Sequence, residues 1–174
     1  MKTIAFVGSS ESGKTRLIAR LVPELKRRGL AVAVVKHCGH GFDIGGDDKD
    51  SSKFLAAGAD GVALAGEGRT AILRRSGDGA GLKDLIRREF GAADIVLVEG
   101  GRSEPGLRKI EVLRSGVSAD IRTAREELAA VVADGPVAAW VPVFSPEQVK
   151  ELADWLAASI VTGRRPRRGS GEGP

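Results

Sequence analysis

The run Gly8-Ser9-Ser10-Glu11-Ser12-Gly13-Lys14-Thr15 has the spacing G-x-x-x-x-G-K-[ST] in full. Each part of it has a job on a phosphate. The glycines let the backbone turn so that successive N–H groups point inward at phosphate oxygens. A helix that starts there adds its positive end. The lysine reaches the β- and γ-phosphates, and the threonine hydroxyl ligates Mg²⁺. The candidate nucleotide contacts are Gly8, Ser10, Glu11, Ser12, Gly13, Lys14, Thr15 and the adjoining Arg16. Ser9 stands where one subclass of such loops carries a second lysine, which argues against that subclass.

A phosphate loop of this kind works with an acid near the magnesium, commonly at the carboxyl end of a neighbouring strand. Asp94-Ile-Val-Leu-Val-Glu99-Gly-Gly offers one. Ligands of open α/β sheets gather at the carboxyl ends of strands, which favours Glu99 as metal or water partner and leaves Asp94 as a polar residue at strand entry. Asp50, in Asp47-Asp48-Lys49-Asp50-Ser51, is the second candidate acid; capping the helix that follows is its alternative role. Asp50 and Glu99 are thus the candidate catalytic residues, and Thr15, Asp50 and Glu99 the candidate metal set.

The elements that must position these groups can be read from apolar spacing. Residues 2–7 read as a strand. Residues 14–28 read as a helix, with Leu17, Ile18, Leu21, Val22 and Leu25 at helical intervals and Gly29 as its stop. Residues 30–36 read as a buried strand, so the first two strands should be parallel. A short helix over 51–57, a hairpin formed by 61–65 and 70–74, and a helix over 82–90 follow. Strands are expected at 94–98, 109–113 and 139–143, with a segment at 126–133 that moves from helix towards strand. A last helix is expected over 146–160, with Pro146 in its first turn. This alternation predicts a three-layer α/β domain of P-loop type, with a mainly parallel sheet and a small β-hairpin insertion, over residues 1–162.

Composition agrees. The 174 residues are 42% hydrophobic, with no Tyr, five Phe and two Trp, so Val, Ile, Leu and Ala must build the core. That suits a parallel sheet buried on both faces. The single Cys38 allows no internal disulfide and fits a reducing cytoplasm. The opening apolar run is too short for a signal peptide, and no stretch approaches the roughly 20 apolar residues of a membrane span. The net charge of +4 misleads: four Arg and one Glu in Gly163–Pro174 supply +3 of it. That Gly/Pro/Arg tail is expected to be disordered and dispensable, and the near-neutral body argues against a nucleic-acid-binding domain.

Together these pieces resemble the molybdopterin-guanine dinucleotide biosynthesis adaptor family (MobB). The resemblance is carried by VGSSESGKT, by VVKHCGHGFDIGGDDKDSSKFLAAGAD and by DIVLVEGGRSEPGLRKIEVLR, and it covers most of residues 2–145. It implies a small cytoplasmic P-loop protein, typically a homodimer, that binds GTP and Mg²⁺ and hydrolyses GTP weakly at best. Its implied partners are the molybdenum cofactor guanylyltransferase, which joins GMP to molybdopterin, and molybdopterin itself. Asp47-Asp48 departs from the neutral Pro-Gly type of turn such proteins often carry there.

Three points stay open at this level. Familiar GTPases read guanine with an Asn-Lys-x-Asp run, which this chain lacks; Asp134, after a late strand, is the nearest equivalent, and capping a turn accounts for it equally well. His37, Cys38, His40 and Asp43 lie close together, but the only Cys and both His of the chain are there, too few for a closed zinc site. Finally, Arg102, Arg108 and Arg114 could form the cationic lid of a small-molecule kinase or ligase, the alternative to a GTP-binding adaptor on the same fold.

Overall fold

The apolar opening run becomes β1 (Lys2–Val7), an inner strand of the computed structural model, which describes residues 1–39, 41, 50–74, 81–117 and 120–161. Then come α1 (Lys14–Arg27), β2 (Val32–Lys36), α2 (Asp50–Ala56), β3 (Gly61–Gly66), β4 (Arg69–Arg74), α3 (Leu82–Phe90), β5 (Ile95–Glu99), β6 (Arg108–Leu113), β7 (Leu128–Ala133), β8 (Val143–Phe144) and α4 (Val149–Val161). Six strands form one sheet in the order β2-β5-β1-β6-β7-β8, and every neighbouring pair is parallel. β3 and β4 pair antiparallel as a separate hairpin. The expected fold class is therefore the observed one.

Burial explains the strand composition. Ile4 to Val7, Ile95 to Val98 and Ala130 to Val132 are all at most 1% exposed. Strands covered on both faces read as continuous apolar runs rather than alternating ones. On one face Ile4, Phe6, Leu97, Ile110 and Val112 meet Leu17, Leu21 and Leu25 of α1 and Leu152 and Leu156 of α4. On the other, Ala5, Val7, Val96 and Val98 meet Leu82 and Ile86 of α3. Towards β7, loop residues Ile121, Val137, Ala139 and Val141 rather than a helix cover Leu113, Leu128 and Val131.

Several boundaries moved for local reasons. β1 and β2 are parallel but not adjacent, because β5 lies between them. The strand expected over 139–143 is only Val143–Phe144. Pro142 has no N–H to give; its carbonyl accepts from Val131 N at 2.9 Å instead. The segment at 126–133 resolves into a strand from Leu128. The last helix starts at Val149, since Ser145 and Gln148 form the turn before it: Ser145 N donates to Gln148 Oε1 at 2.8 Å and Gln148 N to Ser145 O at 3.1 Å. That is half of a capping box. Among the described residues no helix is long and apolar enough to cross a membrane. The tail from 163, His40, Asp43 and the Asp47-Asp48 pair lie outside the described residues.

Candidate functional site

Parallel strands put all their carboxyl ends on one edge, and the phosphate loop leaves β1 there. Gly8 has no room for a side chain: a Cβ would sit 2.4 Å from the Val112 carbonyl oxygen and 2.6 Å from Ser12 Oγ. Gly13, just before α1, has φ +91°, and Glu11 has φ 62°. Lys14 Nζ folds back over the loop and donates to Ser9 O at 2.6 Å, Gly8 O at 3.2 Å and Ser12 Oγ at 3.3 Å. Ser12 is buried, while Ser10, Glu11 and Thr15 are exposed. The ammonium thus rests on neutral oxygens inside a cradle whose backbone is already turned.

Glu99 ends β5 in register with Phe6 of β1 on one side and Lys36 of β2 on the other. Thr15 Oγ1 donates to Glu99 Oε1 at 2.8 Å. Sequence reasoning paired these residues, and the structure places them in direct contact. The chain then turns away through Gly100 (φ +89°) and Gly101 (φ +73°). At Gly100 a Cβ would also lie 2.9 Å from the His37 carbonyl oxygen, so the turn needs glycine twice over. Asp94 lies at the opposite edge, where its Oδ2 accepts from Ala31 N at 2.9 Å. Asp50 opens α2; its carboxylate is 3.8 Å from Lys53 and 87% exposed. Among the described residues it makes no hydrogen bond with Thr15 or Glu99.

On the far side of the loop, between α1 and the ends of β6 and β7, lies a cleft of about 260 Å³. Arg16, Leu17, Arg20, Arg114, Asp134 and Glu147 contribute to its walls. Whole-ligand pockets run to roughly 300–1,000 Å³, so this cleft suits the nucleoside end of a ligand whose phosphates occupy the loop. Arg114 Nη1 donates to Glu11 O at 3.1 Å, tying the end of β6 to the loop. Asp134 Oδ1 accepts from Ser115 N at 2.7 Å and Ser115 Oγ at 2.9 Å. Those bonds hold its carboxyl below the ordinary range. Asp134 therefore both lines the cleft and joins the ends of two strands.

The cations form an asymmetric set. Burial lowers the Lys14 ammonium from its ordinary value; Glu99 opposes that, and Arg102 and Lys36 add to it. Arg102 follows the glycines after β5, and its Nη2 donates to Glu111 Oε1 at 2.8 Å. Glu111 is 1% exposed and also accepts from Arg122 N at 2.9 Å and Thr123 N at 2.8 Å. Sequence reasoning read Glu111 only as part of a strand. The available signal was Lys109 and Glu111, two charges two residues apart in an apolar run and hence on one face. Arg108 cannot share a lid with Arg102 and Arg114: it enters β6 level with Ile4, four residues before Gly8, or about 13 Å along the strand. His37 Nε2 lies 3.5 Å from Glu104 Oε1 beside this set.

Comparison with known proteins agrees with this arrangement. The family model described as molybdopterin guanine dinucleotide synthesis protein B matches residues 3–134. The chain is 31% identical over 155 residues to the molybdopterin-guanine dinucleotide biosynthesis adapter protein of Haemophilus influenzae, covering 88% of this chain and 86% of that one. It is also 31% identical over 159 residues to the adapter protein of Escherichia coli K12, covering 88% and 90%. A crystal structure of molybdopterin-guanine biosynthesis protein B superposes with a TM-score of 0.69 at 30% identity, covering 91% of this chain and 99% of that one. The Bacillus subtilis MobB crystal structure gives 0.70 at 26%, covering 94% and 100%. With the phosphate loop, its acid partner and the parallel sheet in place, the chain belongs to the MobB family of molybdopterin guanine dinucleotide synthesis proteins.

Proposed function

We propose that this chain is a GTP-binding adapter in molybdopterin guanine dinucleotide biosynthesis, a weak GTPase at most, and that it assists the guanylyltransferase that attaches GMP to molybdopterin. The observation that carries the nucleotide reading is the Lys14 ammonium folded onto Ser9 O and Gly8 O in a pre-turned loop. A phosphate arriving on the loop N–H groups offers that ammonium an anionic partner in place of neutral carbonyls, a stronger attraction because both partners then carry charge. Thr15 Oγ1 donates a hydrogen bond to Glu99, which leaves the hydroxyl lone pairs free for Mg²⁺. The ion, when bound, would neutralise phosphate oxygens while keeping most of its waters. Asp50 is proposed as an acid acting through those waters.

Guanine preference is proposed to involve Asp134 in the cleft. The full chain should bind GTP more tightly than ATP in calorimetry, and Asp134→Ala should lower that selectivity, because a site built for the guanine edge leaves an acceptor unpaired with adenine. Equal dissociation constants for the two nucleotides would end the guanine reading. In the same samples a tagged guanylyltransferase should retain the chain. Light scattering should give twice the 18.2 kDa chain mass. The hairpin supports a dimer: Leu64 and Ile72 are 47% and 57% exposed on its opposite faces, and a lone two-stranded hairpin is marginal in water.

The metal set has its own test. In a magnesium titration of GTP affinity, Glu99→Gln and Asp50→Asn should each weaken the magnesium-dependent part. Magnesium-free binding should stay the same or tighten, since a negative charge beside the phosphates is gone. If neither curve moves, the two acids are a strand end and a helix start.

A further inference from the structure

We propose that Arg102, oriented by the buried carboxylate of Glu111, contacts the terminal phosphate of a nucleoside triphosphate seated on the Gly8–Thr15 loop. This rests on the reading of that loop as a nucleotide site and assigns a residue which the loop motif does not contain.

The sheet order carries the argument. β1 lies between β5 and β6. Arg102 leaves the end of β5 and bonds Glu111 on β6 at 2.8 Å, so its side chain crosses the end of β1. Glu111 is in register with Val7, the residue before Gly8. The guanidinium is therefore anchored beside Val7, where the phosphate loop begins. The segment that carries it starts at Glu99, the acid that meets Thr15, so Arg102 joins the candidate metal-side acid to the start of the loop, where a terminal phosphate belongs if the nucleoside occupies the cleft.

The anchor is stronger than charge neutralisation requires. Glu111 is 1% exposed and takes two backbone N–H bonds on Oε2, leaving Oε1 for Arg102. The Arg102 side chain remains 39% exposed. A guanidinium has five N–H donors in a rigid fork, so with Nη2 held by Glu111 it can still present donors to a second anion. Lys14 and Lys36 stand near enough to act on the same electrostatic field, and Lys14 feels Arg102 as an unfavourable neighbour. An arginine supplied in cis stabilises the charge on the transferring phosphate in other P-loop proteins.

The test compares GTP with GDP on the full chain in the presence of Mg²⁺. Arg102→Ala should lower GTP affinity by about tenfold or more, the effect of one charge-assisted bond, and leave GDP affinity within about twofold. Arg102→Lys should recover part of the loss. Glu111→Gln retains the acceptor for the N–H groups of Arg122 and Thr123 but removes the charge, and should narrow the GTP-to-GDP ratio by a smaller factor. A merely structural role for the pair would move melting temperature and leave the ratio alone. Equal loss for both nucleotides, or an unchanged ratio in Arg102→Ala, overturns the assignment. A wild-type chain that binds neither nucleotide defeats the loop reading itself, and this assignment with it.

Discussion

Lys14→Ala should weaken triphosphate binding at least about tenfold while the domain stays folded. The estimate follows from one lost hydrogen bond to a charged group, about 1.5–3 kcal/mol. The fold should survive for reasons visible around the residue. Lys14 is half-buried, and its partners are Gly8 O, Ser9 O and Ser12 Oγ within its own loop. Ser12 N already shares Ser9 O at 3.3 Å. The glycine cradle is fixed by Gly8 against Val112, a backbone contact the substitution does not touch. Titration calorimetry alongside a thermal melt separates the two quantities. An unchanged affinity would remove the phosphate-loop assignment altogether.

Glu111→Leu should have the opposite profile, a large loss of stability, of about 1–3 kcal/mol, the range for leaving a buried hydrogen-bonding group without its partner. Leucine leaves the N–H groups of Arg122 and Thr123 without their acceptor and strips Arg102 of its counter-charge. That is a large share of the 5–15 kcal/mol that holds an ordinary domain together. The site has a pH signature. Burial pushes the Glu111 carboxyl up, but the bonds from Arg102 and Thr123 outweigh it and hold the group below its ordinary value. A carboxylate with a lowered folded value contributes stability that is fully present above its unfolded pKa, roughly 4.3, and is lost as pH falls through the folded value. Wild type and Glu111→Leu should therefore differ most at neutral pH and converge in acid. Denaturant melts at both pH values check this; a constant gap would mean that the carboxyl binds its proton equally in the folded and unfolded chain, with no shift on folding.

Much of the candidate site was legible because it is local. The phosphate loop, the strand before it and the helix after it lie within the first 27 residues, and their meaning depends on spacing alone. Glu99 was legible because an apolar run ends on an acid followed by two glycines. What escaped depends on long-range placement. Nothing in the order of segments says that β5 inserts between β1 and β2, and that insertion is what brings Glu99 against Thr15. Glu111 escaped because its partners are nine and about a dozen residues away on separate loops. Asp134 stays ambiguous for a physical reason: one carboxylate oxygen ties Ser115 while the residue also faces the cleft. The late edge of the sheet was misjudged through Pro142, whose apolar neighbours read as strand although it cannot donate to a ladder.

The helix behind the loop is pinned at its far end. Arg28, just past α1, bonds Asp154 Oδ1 at 2.7 Å, Lys150 O at 3.1 Å and Glu24 O at 2.7 Å. Arg20 reaches Glu147 Oε2 at 2.7 Å and Pro146 O at 2.9 Å. Fourteen residues of α1 make a rod about 21 Å long, clamped to α4 along its length. Such a rod resists pistoning and rolling. A signal that begins at the phosphates has no easy route out through the helix. The compliant route is sideways, across the strand ends, through the glycine pair after β5 to Arg102 and the loop that Glu111 holds. A partner that senses which nucleotide is bound would do best to grip the protein there.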